Sequence, residues 1–314
     1  MSDLKRRQVA VSVATVWTKP ESPRPLDELA LQHPVGIREW LKRMTVDDRL
    51  DLSEANRVQT QVLYGTTVLV AKEQGEWVKV LIPQQGTRKE ALGYPGWVPR
   101  CQLVEEASIA PAGSARAEVV SDKAWLYRDG ELSEPLLELS FLTSLPVLES
   151  DTSGRWVKVQ TPEGSGFMKA GEVRLIEGEL ASIGAMEGGD IGRGIVEQAK
   201  RFLNLPYLWG GMSSFGYDCS GFAYNMHRYF GILIPRDASD QAKQGKLIER
   251  DRLEPGDLVF FAHDEGKGSV HHVGIYAGDN QMIHSPESIK NIELIDLSSY
   301  RLAHEHCVSR RYWG

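Results

Sequence analysis

At 314 residues and 41% hydrophobic content, the chain is long enough for two or three domains with ordinary cores. Its 36 basic and 43 acidic residues leave a net charge of −7, which excludes a general electrostatic attraction for nucleic acid or for an anionic membrane. The three cysteines, Cys101, Cys219 and Cys307, are too few and too far apart for a disulfide framework, which fits a reducing compartment.

At the N-terminus, Lys5-Arg6-Arg7 precedes the apolar run Val9 to Trp17, an order that imitates a secretory leader. The run is short, holds Ser12 and Thr15, and alternates Val9, Val11 and Val13. Period-2 alternation of β-branched residues predicts a half-buried strand. No segment is long and apolar enough to span a bilayer, and a cytoplasmic location is expected.

A helical stretch is predicted from Pro25 to Asn56, with Leu26, Leu29, Ala30, Ile37, Trp40 and Leu41 at apolar positions. It interrupts the first copy of an internal repeat. Gly75-Glu76-Trp77-Val78-Lys79-Val80 recurs as Gly154-Arg155-Trp156-Val157-Lys158-Val159. An apolar strand precedes each copy, Thr67 to Val70 and Leu145 to Leu148. Each copy closes with a Gly-aromatic element, Gly96-Trp97-Val98 and Gly166-Phe167-Met168. Short alternating strands joined by Gly- and Pro-bearing turns predict two small β-barrels, with Trp17, Trp77, Trp97, Trp125 and Trp156 in their cores. Breaks near 106–116 and 178–190 read as linkers, giving domains at 1–106, 115–178 and 190–314.

The third segment carries the chemistry. Tyr207-Leu208-Trp209-Gly210-Gly211 is followed by Tyr217-Asp218-Cys219-Ser220-Gly221-Phe222, then by His272-Val273-Gly274-Ile275-Tyr276 and Met282-Ile283-His284-Ser285-Pro286. Asp218 has the side chain of an N-cap, and Cys219 to Phe230 is helical in spacing. Cys219 would then stand in a first turn, where the helix dipole and a neighbouring imidazolium lower a thiol's pKa from about 8.5 toward neutrality. A buried inert thiol is the alternative.

Gly278-Asp279-Asn280 reads as a turn, so His272 and His284 face each other across a hairpin. There His284 would orient His272 as the base for Cys219. Strand alternation turns His271 to the opposite face. Backbone amides at the helix start, with the hydroxyl of Tyr207, are candidate oxyanion donors. Neither Cys-x-x-Cys nor His-x-x-x-His spacing occurs, and no metal is expected.

These motifs resemble the NlpC/P60 family of papain-like cysteine peptidases, which act on bacterial cell-wall peptides. The match rests on Pro206-Tyr207-x-Trp209-Gly210-Gly211, Asp218-Cys219-Ser220-Gly221-Phe222, Pro235-Arg236-Asp237 with Gln241, Pro255-Gly256-Asp257-Leu258 and His272-Val273-Gly274-Ile275-Tyr276. The repeats upstream resemble the bacterial SH3 domains that commonly precede such a domain. The resemblance implies an α+β catalytic fold behind two SH3-like barrels, with Cys219 as nucleophile, His272 as general base and acid, and His284 as the orienting residue.

Three-domain relatives of this layout hydrolyse the γ-D-glutamyl–L-diamino acid bond of murein tri- and tetrapeptides with a free N-terminal L-alanine. The implied role is recycling of soluble wall peptides without a cofactor, a nucleic acid or a membrane. By the same resemblance Asp237 receives the substrate amine, with Ser220 and Ser239 adding hydrogen bonds. Such relatives often carry Ser directly after that Asp, where this chain has Ala238. A helix N-cap or a pair with Arg236 is the alternative role for Asp237. Tyr94 is either a hydroxyl donor to the substrate or a rim aromatic in a turn. An amidase, an acyltransferase, an exported wall hydrolase and a non-catalytic wall-binding adaptor are the competing functions, and the composition fits monomer or dimer.

Overall fold

The computed structural model describes residues 4–106, 114–177 and 191–314. Both expected linkers fall largely outside these residues. Two compact units emerge: Met1–Pro83 with Tyr94–Ser182 and Ser213–Phe215, and Gln84–Gly93 with Ile183–Met212 and Gly216–Gly314.

The first unit holds two sheets of seven strands. One contains β1 (Arg6–Val9), β2 (Val13–Trp17), β3 (Val58–Leu63), β4 (Thr67–Gln74), β5 (Trp77–Ile82), β6 (Tyr94–Pro99) and β7 (Leu103–Glu105), in the order β3-β2-β6-β5-β4-β1-β7. The other contains β8 (Arg116–Val119), β9 (Lys123–Tyr127), β10 (Pro135–Ser140), β11 (Ser144–Ser150), β12 (Trp156–Thr161), β13 (Gly164–Lys169) and β14 (Val173–Ile176), in the order β10-β9-β13-β12-β11-β8-β14. Strand for strand, the two orders are the same.

The repeat is therefore a repeat of topology, and its register is shared. Val80 pairs with Gly96 in one sheet, and Val159 with Gly166 in the other. The glycine is required by close approach. A Cβ on Gly96 would lie 2.4 Å from Val16 Cγ1, and one on Gly166 would lie 2.8 Å from Leu126 Cδ1. Each barrel closes over its own apolar cluster. Val16, Val68, Val78, Val80 and Val98 fill the first, and Ala117, Leu126, Leu139, Val159 and Met168 the second.

Between β2 and β3 the first barrel carries a 3-10 turn at Pro25–Asp27 and the helices α1 (Glu28–Leu31), α2 (Ile37–Arg43) and α3 (Val46–Glu54). Thr45 caps α3 by accepting from Asp48 N, and Asp48 reciprocates at Thr45 N. The buried carboxylate of Asp27 accepts from Arg24 Nε at 3.0 Å and from Trp40 Nε1 at 2.8 Å. The Trp40 ring lies 6.3 Å from that of Trp17.

This insertion corrects the expectation for the N-terminal run. The run is two strands, and all five residues of β2 are buried rather than alternating. The barrel core takes Ala14 and Val16 of β2, and Trp40 of the insertion lies against Trp17. A second correction concerns Trp125, expected in a core but 43% exposed. In β9 its neighbours Ala124 and Leu126 point inward, so pleat alternation sends the indole outward. Trp77, Trp97 and Trp156 are half-buried, and Trp17 alone of the five is fully enclosed.

In the second unit, α4 (Ile191–Lys200), α5 (Cys219–Tyr229) and α6 (Ala238–Gln241) accompany a six-stranded antiparallel sheet. Two short strands, β15 (Met212–Ser213) and β16 (Gly216–Tyr217), lead into α5. The sheet contains β17 (Lys246–Leu247), β18 (Leu258–Ala262), β19 (Val270–Gly278), β20 (Gln281–His284), β21 (Glu293–Asp296) and β22 (His306–Arg311), in the order β17-β22-β18-β19-β20-β21. A two-residue turn joins β19 to β20, and both its residues, Asp279 (φ 48°) and Asn280 (φ 59°), take the left-handed conformation that a type I′ hairpin needs.

The Pro255-Gly256-Asp257-Leu258 motif has a structural task. Asp257, buried, takes Arg311 in a bidentate pair at 2.7 and 2.8 Å, tying the start of β18 to β22. The segment Gln84–Gly93 leaves the first barrel between β5 and β6 and belongs to the second unit. There Tyr224 Oη donates to Gln84 O (2.6 Å), Arg236 N to Gly86 O (2.9 Å), and Arg88 pairs with Asp240. Nothing in its composition marked it as separate from the barrel.

Candidate active site

Helix α5 is buried from Ser220 to Arg228, so it is a central helix, while Cys219 at its N-terminus is half-buried. Asp218 is its N-cap, accepting from Gly221 N at 2.6 Å. A Cβ on Gly221 would lie 2.2 Å from Gly211 O and one on Gly211 2.3 Å from Gly216 O, which explains glycine on both sides of the helix entry. Cys219 is the first residue of the helix. The amides of the first turn have no intrahelical acceptor, so they are oriented toward whatever accumulates negative charge there.

Arg236 is the residue that fixes this corner. Its guanidinium, 1% exposed, donates to Asp218 Oδ2 at 2.6 Å, to Asp218 Oδ1 at 3.2 Å and to Ser220 Oγ at 2.8 Å. Gln241 Nε2 donates to Ser220 O (3.1 Å) and Pro235 O (2.8 Å), locking α6 against the start of α5. The Ser220 hydroxyl joins this network by donating to Asp218 Oδ1 at 3.2 Å.

The two histidines meet, and the register shift between Tyr276 and Gly278 is what brings them onto one face of the hairpin. His272 Nε2 lies 2.7 Å from His284 Nδ1, and both rings are buried. With Nε2 engaged, Nδ1 is the nitrogen left to serve Cys219. Phe261 (ring centroids 5.8 Å apart) packs on His272, and Tyr300 (5.1 Å, edge-on) packs on His284. His271 turns away and pairs with Glu305 at 2.6 Å.

Burial pushes the Cys219 thiol up to about 12, and the Asp218 carboxylate adds to the shift. Only the Val273 amide, Arg236 and the Ser220 amide oppose it. Burial likewise holds His272 well below the usual imidazole range and brings His284 down to about 3, with Lys290 and Arg301 adding to the latter. The direction of the thiol shift is opposite to that expected from the helix start alone. Loss of water costs the thiolate and the imidazolium more than the helix terminus returns.

Cys219 is half-buried, and the direction of both shifts favours a neutral thiol beside a neutral imidazole, with the proton moving as the carbon–sulfur bond forms. Alkylation of Cys219 by iodoacetamide is accordingly expected to slow about tenfold per pH unit as pH falls through the neutral range. A pH-independent rate between pH 4 and 7 would show a preformed ion pair instead.

Tyr207 is buried, and burial together with the Asp218 carboxylate raises its phenol well above the ordinary value, so it stays a hydroxyl donor. Asp237 takes the N-cap position of α6 without a capping hydrogen bond, and Arg236 turns to Asp218 instead. Its Oδ2 lies 3.0 Å from Lys89 Nζ. Ser239 is half-buried in α6, and Tyr94 stands buried in the first unit at the start of β6, opposite Ile82. Arg236 and Lys89 were not assigned these contacts from sequence. Arg236 belongs to the Pro235-Arg236-Asp237 motif, whereas nothing singles out Lys89.

Residues 204–313 match the NlpC/P60 family, and residues 119–175 match the YKFC SH3b2 domain. The chain is 44% identical over 305 residues to the gamma-D-glutamyl-L-lysine dipeptidyl-peptidase of Bacillus subtilis, covering 96% of this chain and 97% of that protein. It is 39% identical to the protein of the same name in Bacillus cereus, covering 97% and 90%. Among solved structures, an NlpC/P60 family protein from Bacillus cereus superposes with a TM-score of 0.92 at 38% identity, covering 98% of this chain and all of that one.

Proposed function

The chain belongs to the NlpC/P60 family, and we propose that it is a cysteine peptidase cleaving the γ-D-glutamyl–L-diamino acid bond of murein peptides with a free N-terminal L-alanine, releasing L-Ala-D-Glu. The observation that carries this is the buried His272–His284 pair, hydrogen-bonded at 2.7 Å and presenting the remaining His272 nitrogen, together with a cysteine capped at the start of α5.

Cys219 attacks the γ-glutamyl carbonyl while its proton passes to His272 Nδ1. The helix-start amides and Tyr207 hold the oxyanion. The imidazolium then donates to the leaving amine, and His272 activates the water that hydrolyses the thioester.

Asp237 receives the substrate ammonium. Support comes from the ammonium it already accepts, that of Lys89. Acidic balance and three free thiols support a cytoplasmic role in wall-peptide recycling, and no helix among the described residues is long and apolar enough to cross a membrane.

The test is hydrolysis of L-Ala-γ-D-Glu-L-Lys and its diaminopimelate counterpart, each free and N-acetylated, with products read by mass spectrometry. Acetylation leaves the Asp237 carboxylate facing an uncharged amide, and about 2 kcal/mol of lost pairing corresponds to ~30-fold in kcat/KM. Asp237→Asn is expected to erase most of that discrimination. Equal cleavage of free and acetylated peptides by the unmodified enzyme would discard the amine-binding role and favour an exported wall hydrolase. No cleavage of either would discard the bond assignment.

A further inference from the structure

We propose that Glu293 is a positioning residue that completes a four-member line, Cys219–His272–His284–Glu293, by setting the tautomer of His284 and placing a carboxylate behind the two imidazoles. The proposal rests on the reading of Cys219 and His272 as the catalytic pair.

The placement follows from strand register. β20 and β21 are antiparallel neighbours, and His284 pairs directly with Glu293. Directly opposed residues put their side chains on one face of a sheet, with Cβ atoms about 5 Å apart. Glu293 Oε1 stands 3.4 Å from His284 Nε2. That nitrogen is buried, and among the described residues it has no hydrogen-bond partner of good geometry. A buried ring nitrogen in this condition is costly unless something claims it, and the Glu293 carboxylate is the acceptor within reach.

The tautomers then follow in sequence. An ionised carboxylate can only accept, so His284 must carry its proton on Nε2. A neutral imidazole with a proton on Nε2 has a lone pair on Nδ1. His284 Nδ1 is the atom 2.7 Å from His272 Nε2, so His272 must donate from Nε2. His272 Nδ1 is left with the lone pair that takes the thiol proton. If His284 took the opposite tautomer, its Nδ1–H would point at His272 and force the basic lone pair onto the wrong nitrogen. A His–His pair has no internal preference between these arrangements. The carboxylate supplies one.

It also supplies charge. A neutral imidazole in the third position stabilises an imidazolium less than a carboxylate does, and the other neighbours are unhelpful. Lys290 and Arg301 both bear on His284, and Arg301 and His271 on His272. Glu287 pairs with Arg301 at 2.8 Å and with Lys290 at 3.6 Å. Glu293 lies 3.9 Å from Lys290 Nζ. Phe261 and Tyr300 close the rest of the space around the rings without charge.

Glu293→Ala and Glu293→Gln test this, assayed on L-Ala-γ-D-Glu-L-Lys from pH 4 to 9 and by nitrogen-15 NMR of the labelled histidines. Expected is a loss of about tenfold in kcat, with KM changed less than about twofold. The acid limb of kcat/KM moves to lower pH by about half a unit, because a removed negative charge makes the imidazolium easier to deprotonate. Gln is expected to fail with Ala, since its amide can donate to His284 Nε2 and favour the wrong tautomer. In the wild-type enzyme, the His284 signal is expected to be that of the Nε2–H form, shifting toward a mixture in Glu293→Ala. An unchanged tautomer with an unmoved acid limb overturns the proposal, even if kcat falls. Should Cys219→Ala retain activity, the underlying assignment of the catalytic pair fails instead.

Discussion

Cys219→Ala is expected to lose at least ~10³-fold in kcat against L-Ala-γ-D-Glu-L-Lys while keeping its melting temperature within a few degrees. The covalent route ends with the sulfur, because neither Ser220 nor any other hydroxyl at the head of α5 is placed to replace it. Ser220 Oγ is held between Arg236 and Asp218. Exchanging a thiol for a methyl group removes one atom from a packed helix start and leaves the Asp218 cap intact, so a stability cost of about 1 kcal/mol is expected.

His272→Ala should be nearly as inactive, and the double variant no worse than either alone, since the two groups act as one unit. Residual turnover above a few per cent in Cys219→Ala, measured on protein with an unchanged melting curve, would refute the nucleophile. Retained hydrolysis with the same products would point to water activated by His272.

The parts of this site that could be read from sequence are those fixed by local structure. An Asp before a helix start, a cysteine in the first turn and two histidines flanking a Gly-Asp-Asn turn each follow from a few consecutive residues. Their meeting at 2.7 Å needs more than the turn: a regular two-residue hairpin would set His284 opposite Ile275 and leave His272 on the other face, and the register shift between Tyr276 and Gly278 brings the two onto one face. Glu293 could not be found this way, because its contact with His284 depends on how many residues loop out between β20 and β21. Lys89 reaches Asp237 from the segment 84–93, which the repeat places inside a barrel hairpin.

The thiol follows the same division: the helix dipole is visible in sequence, whereas the burial that pushes the Cys219 thiol up arises only when α5 is packed from Ser220 to Arg228. Likewise Val9 to Trp17 has the period of a half-exposed strand, and only the folded insertion, through Trp40, buries the other face.

Arg236→Met is expected to be among the most destabilising substitutions in the second unit, and for a reason that separates pairing from packing. The Arg236–Asp218 pair is almost wholly enclosed, with side-chain exposures of 1% and 8%. Such a pair adds little net stability over apolar residues of the same shape, because desolvation consumes most of the attraction. Removing one partner is different. Asp218 would keep a buried negative charge, supported only by Gly221 N and the Ser220 hydroxyl, and the cost is about 3–5 kcal/mol. Ser220 Oγ would lose its donor as well.

Methionine fills most of the arginine volume, so a loss of this size cannot be assigned to a cavity. Adding Asp218→Asn should recover part of it, since a neutral amide still accepts from Gly221 N and no longer strands a charge. The double variant is therefore expected to melt above Arg236→Met, by several degrees, although it carries more changes. Activity should not return with stability, because both variants release the corner that sets Cys219 against His272. If Arg236→Met melts within about 1 kcal/mol of the wild-type protein, the charge is not stranded and Asp218 finds water. If the double variant melts lower than the single, the network matters as packing, and the electrostatic account of this corner fails.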